Sequence, residues 1–404
     1  MKPHTNEDQS KNKWLVPALG LTQIISWGSM FYAYSVLMQP MQIALHTSKT
    51  TVVGAYSLAL LISGCLSMLA GSIIDRFGGR MLMGVGSLLS GMMLLLLSHV
   101  QNITELYLVW AGIGVAMSAT LYQPAFAVIT QVFGSSYRKS ITLLTLFGGL
   151  ASTVSWPLTQ ALLVRYGWRE TWEVYAIANL VLCLPIHAFL PSLNQTKSKP
   201  LHPSHGSQTL SLALRDPAFY LAASAFTFNA LVFSAMSLHL ISILQARGLS
   251  AAQATTIGAI IGPMQVIGRI IETTLGKNAS SRQVGLIALW LLPIALCLLF
   301  APAGWTVIYI LFAMAYGMSN GVVTIVRGTL PAEMYGQEAY GAISGAMSTP
   351  VMLAIAAGSF IASVLYSLTG GYVGTLIVLI IMAILAAILF MTIRVPAQLS
   401  LKKL

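Results

Sequence analysis

Long apolar runs alternate with short polar connections along the whole chain, and their lengths predict membrane-crossing helices. Apolar windows fall at 14–38, 51–74, 81–100, 103–127, 139–163 and 170–190. A polar stretch rich in Ser, Pro, His and Lys follows from Pro191 to Arg215. Six more windows occupy 217–245, 251–273, 283–301, 304–327, 340–367 and 371–393. A helix needs about 20 apolar residues to cross the hydrocarbon core. The pattern therefore predicts an all-α integral membrane fold of twelve transmembrane helices. It divides into a six-helix bundle over 1–190, a linker over 191–215 and a second six-helix bundle over 216–404.

Composition narrows the class further. Of 404 residues, 56% are hydrophobic and 8% charged, with a mean hydropathy of +0.79. A soluble domain carries about 25% charged residues, so a water-soluble enzyme of this size is excluded. The net charge of +11 is a matter of placement rather than of a nucleic-acid partner. With the N-terminus in the cytoplasm, inner connections and tails hold 16 Lys and Arg, Arg327 among them. Outer connections hold only Lys49, Arg165, Arg169 and Arg247, with Arg269 set aside as intramembrane. The positive-inside rule then places both termini and the linker in the cytoplasm of a cell whose inner membrane carries the protein. The polar segment Met1–Lys13 enters the first apolar run with no small-residue cleavage site, so that run is expected to be retained as a helix. Cys65, Cys183 and Cys297 lie in apolar runs without a CxxC pair and read as packing residues.

The halves repeat weakly. At an offset of 202 residues, Phe133-Gly134 falls on Tyr335-Gly336, Arg80 on Arg282, Phe31 on Phe233 and Ser35 on Ser237. One register thus holds through three separate regions, as in parallel six-helix repeats.

Between the second and third windows stands Gly71-Ser-Ile-Ile-Asp75-Arg76-Phe-Gly78-Gly79-Arg80. Gly71 permits close helix approach. Asp75 can pair with a cation or cap a neighbouring helix N-terminus. Gly78 and Gly79 permit a tight reversal, and Arg76 and Arg80 hold the loop in the inner headgroup region. The segment closely resembles the signature of major facilitator transporters. That resemblance implies two pseudo-symmetric six-helix bundles working by alternating access. It also implies that Gly71, Asp75, Arg76, Gly78 and Arg80 act as a conformational gate on the cytoplasmic side in the outward-open state. The corresponding segment from Lys277 to Arg282 lacks the Asp-Arg pair. In the fifth window, Gly148 to Pro157 has the small residues and proline of facing helices, for which packing alone is a sufficient account.

A charge at the bilayer centre costs about 2.5 to 17 kcal/mol by different methods, so intramembrane charges are functional suspects. Predicted helix 8 holds two, Arg269 and Glu272, three residues apart on one face. The Gly268-Arg269 step is similar to that of the monocarboxylate and oxalate/formate branch, in which a helix 8 arginine holds a carboxylate. Tyr32-Ala-Tyr34-Ser-Val-Leu-Met-Gln-Pro40 is similar to the first-helix pattern of the same branch. Thr273 replaces the branch's glycine, and helix 11 has no lysine, which favours a singly charged cargo over a dicarboxylate. Arg269 also lies 18 residues into its window, about 27 Å by helical rise. A cytoplasmic gate pair with Glu272 is therefore an equal alternative. As a cargo contact, Arg269 would bind the anion and Glu272 would couple transport to protons.

Tyr32, Tyr34, Tyr122, Gln123, Asn229, Asn320 and Thr324 lie in predicted helices 1, 4, 7 and 10, which line the cavity in the resembled family. Interfacial belts and interhelical hydrogen bonds are the competing roles. His239 sits near an outer end, Trp14, Trp168, Trp172 and Trp305 read as belt anchors, and His202 with His205 is a poor metal site. No GxxxxGK[ST] or HExxH occurs, and the one GxSxG, Gly317-Met-Ser-Asn-Gly321, lies inside an apolar run rather than at a strand-to-helix turn, so neither ATP hydrolysis nor hydrolytic chemistry has support. The sequence predicts a monomeric secondary transporter, with no enzyme activity or cofactor, for a small organic anion, by proton symport or exchange. A drug efflux pump is the alternative within transport, and a non-transporting sensor or scaffold the alternative outside it.

Overall fold

The computed structural model describes residues 14–191, 209–276, 278–302 and 304–393. Twelve long helices run through them. Helix α1 covers 15–44, with α-helical Leu15–Trp27 and Ala33–Ala44 flanking a π-helical turn, Gly28–Tyr32. Then come α2 (Lys49–Phe77), α3 (Gly79–His99), α4 (Ile103–Phe133), α5 (Tyr137–Tyr166) and α6 (Trp168–Ala188). After one helical turn, Leu210–Ala213, follow α7 (Pro217–Ala246), α8 (Ala251–Leu275) and α9 (Ser281–Leu298). The last three are α10 (Thr306–Tyr335), α11 (Tyr340–Thr369) and α12 (Tyr372–Met391). Among the described residues, ten helices are individually long and apolar enough to cross a bilayer.

The polar residues that punctuate the apolar runs start the helices. Ser48 caps α2 by accepting the Thr51 N–H, and Asn102 caps α4 by accepting that of Glu105. Ser250 with Gln253 and Ser280 with Gln283 form reciprocal capping boxes at α8 and α9. Asp216 caps α7, with Pro217 in the first helical position. At Gly78, φ of 80° turns α2 directly into α3, a conformation open to glycine at little cost.

The chain forms two compact units, residues 1–209 with Tyr335–Ala346, and 210–334 with 347–404. Each contains the same clasp. In the first, Arg80 at the start of α3 donates through Nε to the Leu190 carbonyl beyond α6, at 2.7 Å. In the second, Arg282 at the start of α9 donates to the carbonyls of Ile393 and Met391, at 2.6 and 2.7 Å. A cation on terminal helix carbonyls satisfies orphan acceptors and complements the helix dipole. The 202-residue repeat thus has a physical counterpart in both units.

A polar seam runs inside the first unit. His187 of α6 is fully buried, with Nδ1 2.6 Å from Ser87 Oγ of α3 and Nε2 3.0 Å from Thr22 Oγ1 of α1. About two turns earlier on α6, Asn179 donates to Ser29 Oγ at 3.1 Å. Replacing His187 with Leu removes the ring that links three helices. The loss is expected to be about 1–3 kcal/mol, for two hydroxyls returned to local acceptors. The check is a lowered thermal midpoint of the purified protein in detergent.

The structure corrects several expectations. Helix α1 continues through Pro40 to Ala44, and α4 and α10 continue to Phe133 and Tyr335. Apolar windows end where side chains become polar, whereas the helical backbone continues. Glu333, near the end of α10, accepts the Ser281 N–H at 2.7 Å rather than ending the helix. Arg327, counted above with the inner connections, is therefore a helix residue, eight positions before the end of α10. Trp172 is no belt anchor. It is fully buried, with its ring 6.2 Å from Trp110. Of the cysteines only Cys183 is buried; Cys65 and Cys297 are exposed. His202 and His205 lie outside the described residues.

Candidate functional site

Two groups of side chains carry the chemistry of the first unit. One surrounds Asp75, in the last turn of α2. Its carboxylate accepts the backbone N–H groups of Gly341 and Ala342, at 3.0 and 2.7 Å, and the amide of Gln131 at 3.3 Å. Gly341 and Ala342 lie in the first turn of α11, where N–H groups have no acceptor within the helix. A carboxylate there makes charge-assisted hydrogen bonds and meets the positive end of the helix dipole. The approach depends on glycine. A Cβ on Gly71 would collide with the Gly341 carbonyl, and one on Gly345 with that of Ser67. Gln337 adds a bond to the Gly134 carbonyl at 2.9 Å. Arg76 lies over the Phe77 ring, 5.1 Å from its centroid, while Arg80 belongs to the clasp on the end of α6.

The second group is aromatic. Tyr32 packs edge-on against Phe31 at 5.2 Å and against Trp156 of α5 at 5.7 Å. Trp27 lies 5.1 Å from Tyr122 of α4, which stacks on Phe126 at 5.1 Å. Tyr34 points elsewhere. It is buried and stacked on Tyr56 of α2 at 4.0 Å and 4°, with Trp110 edge-on to both. The structure thus brings Tyr32 and Tyr122 into one connected ring set and puts Tyr34 in the interior.

The second unit holds the charged residues. Gly268 of α8 lies against the backbone of Met318 on α10, and Gly317 and Gly321 of α10 lie against the backbone of Ile261 and Gln265. These contacts leave no room for a Cβ. They bring Arg269 to α10, where its Nε donates to the Gly321 carbonyl at 3.3 Å. Arg269 is 3% exposed and Glu272 5%, so both charges of α8 are buried. On α10, Asn320, Thr324 and Arg327 follow at intervals of four and three residues, which places them on one face. Arg327 is half-buried and has no hydrogen-bond or ion-pair partner among the described residues. The Tyr316 and Phe233 rings, 4.5 Å apart, fix the register of α7 against α10. One turn from these rings stand Asn229 on α7 and Asn320 on α10. Asn229 is 3% exposed, and its Nδ2 lacks a partner among the described residues. His239 lies in the C-terminal part of α7, with Nδ1 3.3 Å from the Tyr372 hydroxyl.

Sequence reasoning missed Arg327, Trp27 and Trp156. For Arg327 the signal was its helical spacing from Asn320 and Thr324, hidden by placing it at the edge of an apolar window. For the tryptophans no sequence signal separates a ring on an open face from one in the core. Among the described residues, no group of three or more His, Cys, Asp and Glu is placed to hold a metal.

Comparison with known proteins accords with this architecture. The chain is 23% identical to an uncharacterized MFS-type transporter, YcxA, of Bacillus subtilis, over 93% of this chain and 94% of that one. It is 26% identical to monocarboxylate transporter 13 of Bos taurus, over 77% of this chain and 73% of that one. It is 22% identical to the agnestins efflux protein AgnL12 of Paecilomyces divaricatus, over 76% and 69%. In fold it is similar to the crystal structure of the human organic anion transporter MFSD10, with a TM-score of 0.72 at 14% identity, over 93% and 98% of the two chains. Residues 19–283 match the family model of the Major Facilitator Superfamily, and the chain belongs to that family of multi-pass membrane transporters.

Proposed function

We propose that this transporter moves a small organic anion, a monocarboxylate, by alternating access with proton symport or exchange. One observation carries the reading: Arg327, on the α10 face that also holds Asn320 and Thr324, has no hydrogen-bond or ion-pair partner among the described residues. A guanidinium without a partner in a helix that crosses a bilayer calls for a negative charge, which the cargo supplies. A guanidinium receives a carboxylate through two parallel hydrogen bonds. Asn229 and Asn320 supply amide donors beside it, and Glu272 is the proton-coupling acid. Tyr32, Tyr34 and Tyr122 belong to the first unit, Tyr32 and Tyr122 as wall residues and Tyr34 as support. Asp75, Gly71, Arg76, Gly78 and Arg80 form the gate, whose bonds to the start of α11 are made and released once per cycle. The protein acts as a monomer in the inner membrane with both termini in the cytoplasm.

Efflux of lipophilic compounds is the second reading, favoured by likeness to a protein named for efflux. A cationic drug would need an acid, and the described acids of α1, α2, α4 and α5 are already engaged. Asp75 holds the α11 backbone, and Glu105 caps the start of α4. Purified protein in liposomes with an inward proton gradient separates the two. Uptake of a labelled short-chain carboxylate, competed by other carboxylates and not by cationic amphiphiles, is the expected result. Competition by cationic amphiphiles alone would replace the anion reading with efflux.

A further inference from the structure

The exposed residues of α3 are those of a helix that meets lipid. Met81, Val85, Leu88, Met92 and Leu95 recur at helical spacing, all without hydrogen-bonding groups. The accessible face of α1 differs in kind. Midway along this helix, where a spanning helix lies deepest in the bilayer, Trp27, Phe31, Tyr32 and the exposed hydroxyl-bearing Ser35 are accessible, between the apolar Ile24 and Ile25 on one side and Val36 on the other. The Ser35 hydroxyl donates to the Tyr32 carbonyl at 2.8 Å, so the polar atoms of this face are bonded within the protein while the rings stay accessible. Mixed aromatic and polar surface at that depth suits a route through the protein.

The rings are also held in place. The Trp27 indole donates to Gln23 Oε1 at 3.2 Å, and the Gln23 amide donates to the Thr120 carbonyl at 2.8 Å. The Trp156 indole donates to Ser35 Oγ at 3.1 Å and remains 49% exposed. The Tyr122 ring occupies the space above Gly148, where a Cβ would collide with its hydroxyl. Buried Trp110, Trp172 and Tyr175 continue the aromatic chain into the bundle and account for its packing role. Core packing does not require Trp27, Phe31, Tyr32, Tyr122 and Trp156 to keep accessible surface in one cluster. Rings fixed by hydrogen bonds before a ligand arrives lower the ordering cost of binding it.

The geometry points to an aryl-binding surface on the first unit, built on Trp27 and Trp156 with Tyr32 and Tyr122, and to an aromatic monocarboxylate as cargo. The inference rests on the anion reading above and adds the chemistry of the uncharged end. Aromatic faces accept a flat ring in offset or edge-on contact, which an aliphatic ring of equal volume does not reproduce. A cation over the same rings would find no free acid among the described residues of α1, α2, α4 and α5.

The test compares benzoate with cyclohexanecarboxylate, equal in charge and close in size, as competitors of labelled benzoate uptake into proteoliposomes. Benzoate is expected to compete about tenfold better, from a pair of aromatic contacts. Trp27→Leu is expected to erase that preference, lowering benzoate uptake about tenfold more than cyclohexanecarboxylate uptake. Trp27→Phe, which keeps a ring in the same space, is expected to preserve it. Equal competition by the two acids, or by acetate, would overturn the aryl surface while leaving the anion reading intact. Absence of uptake of any carboxylate by the folded parent protein would overturn both.

Discussion

Gly71→Val is expected to abolish transport while the protein still inserts and purifies as a monodisperse species. At this position the backbone of α2 touches the first turn of α11, and any Cβ on Gly71 would occupy the place of the Gly341 carbonyl. Valine adds two methyl groups to that clash, so the helices must separate. Separation breaks the pair of hydrogen bonds from Gly341 and Ala342 to Asp75. Hydrogen bonds to a charged group contribute about 1.5–3 kcal/mol each, so losing both removes several kilocalories from one conformational state. A shift of that size moves a two-state equilibrium by more than about a hundredfold. Asp75→Asn separates the two ingredients. The amide keeps one acceptor oxygen but presents an N–H to the second backbone N–H, so a partial loss of about tenfold in initial rate is expected. Initial uptake rates, normalised to protein in the membrane, give both values. Gly71→Val at the parental rate would show that the contact plays no part in the transport cycle.

How far the sequence anticipates the fold depends on which physical signal is asked for. Twelve apolar runs are legible because the bilayer sets their length, and their caps are legible because Ser, Asn and Asp start helices by accepting orphan N–H groups. The offset that pairs Arg80 with Arg282 is legible too, and the structure gives it a cause in the two clasps. Helix ends within the polar zone are not legible, because hydropathy reports the environment of side chains and the backbone continues beyond it. That is why Arg327 was assigned to a connection. The motif at Gly71–Arg80 announced a helix approach and a capping acid. Its partner was hidden, since no local feature of Gly341 and Ala342 marks them as the N–H groups that receive it. Burial is the least legible property of all. Trp27 and Trp172 have the same side chain in apolar helices, yet one keeps an accessible face and the other has none.

Arg269→Lys is the substitution expected to separate anion binding from architecture most sharply. Lysine keeps the positive charge and loses the planar fork, so it cannot hold a carboxylate through two parallel bonds. It also loses the Nε–H that donates to the Gly321 carbonyl, which is one polar tie between α8 and α10. Arg327→Gln does the opposite, removing a charge from a side chain with no partner among the described residues and leaving helix packing untouched. A hydrogen-bonded contact to a charged group contributes about 1.5–3 kcal/mol, so either change is expected to weaken anion uptake by about tenfold or more. The thermal midpoint tells them apart, falling for Arg269→Lys and holding or rising for Arg327→Gln. Glu272→Gln completes the set. Uptake driven by a pH gradient should disappear, and exchange of labelled for unlabelled anion should persist, because the neutral amide fixes the protonated form of the coupling acid. If Arg269→Lys loses stability but transports normally, its guanidinium serves the α8–α10 contact, and the cargo's charge is met on α10 by Arg327. If both arginine variants transport normally, no guanidinium meets the cargo and selectivity for anions has no basis in this unit.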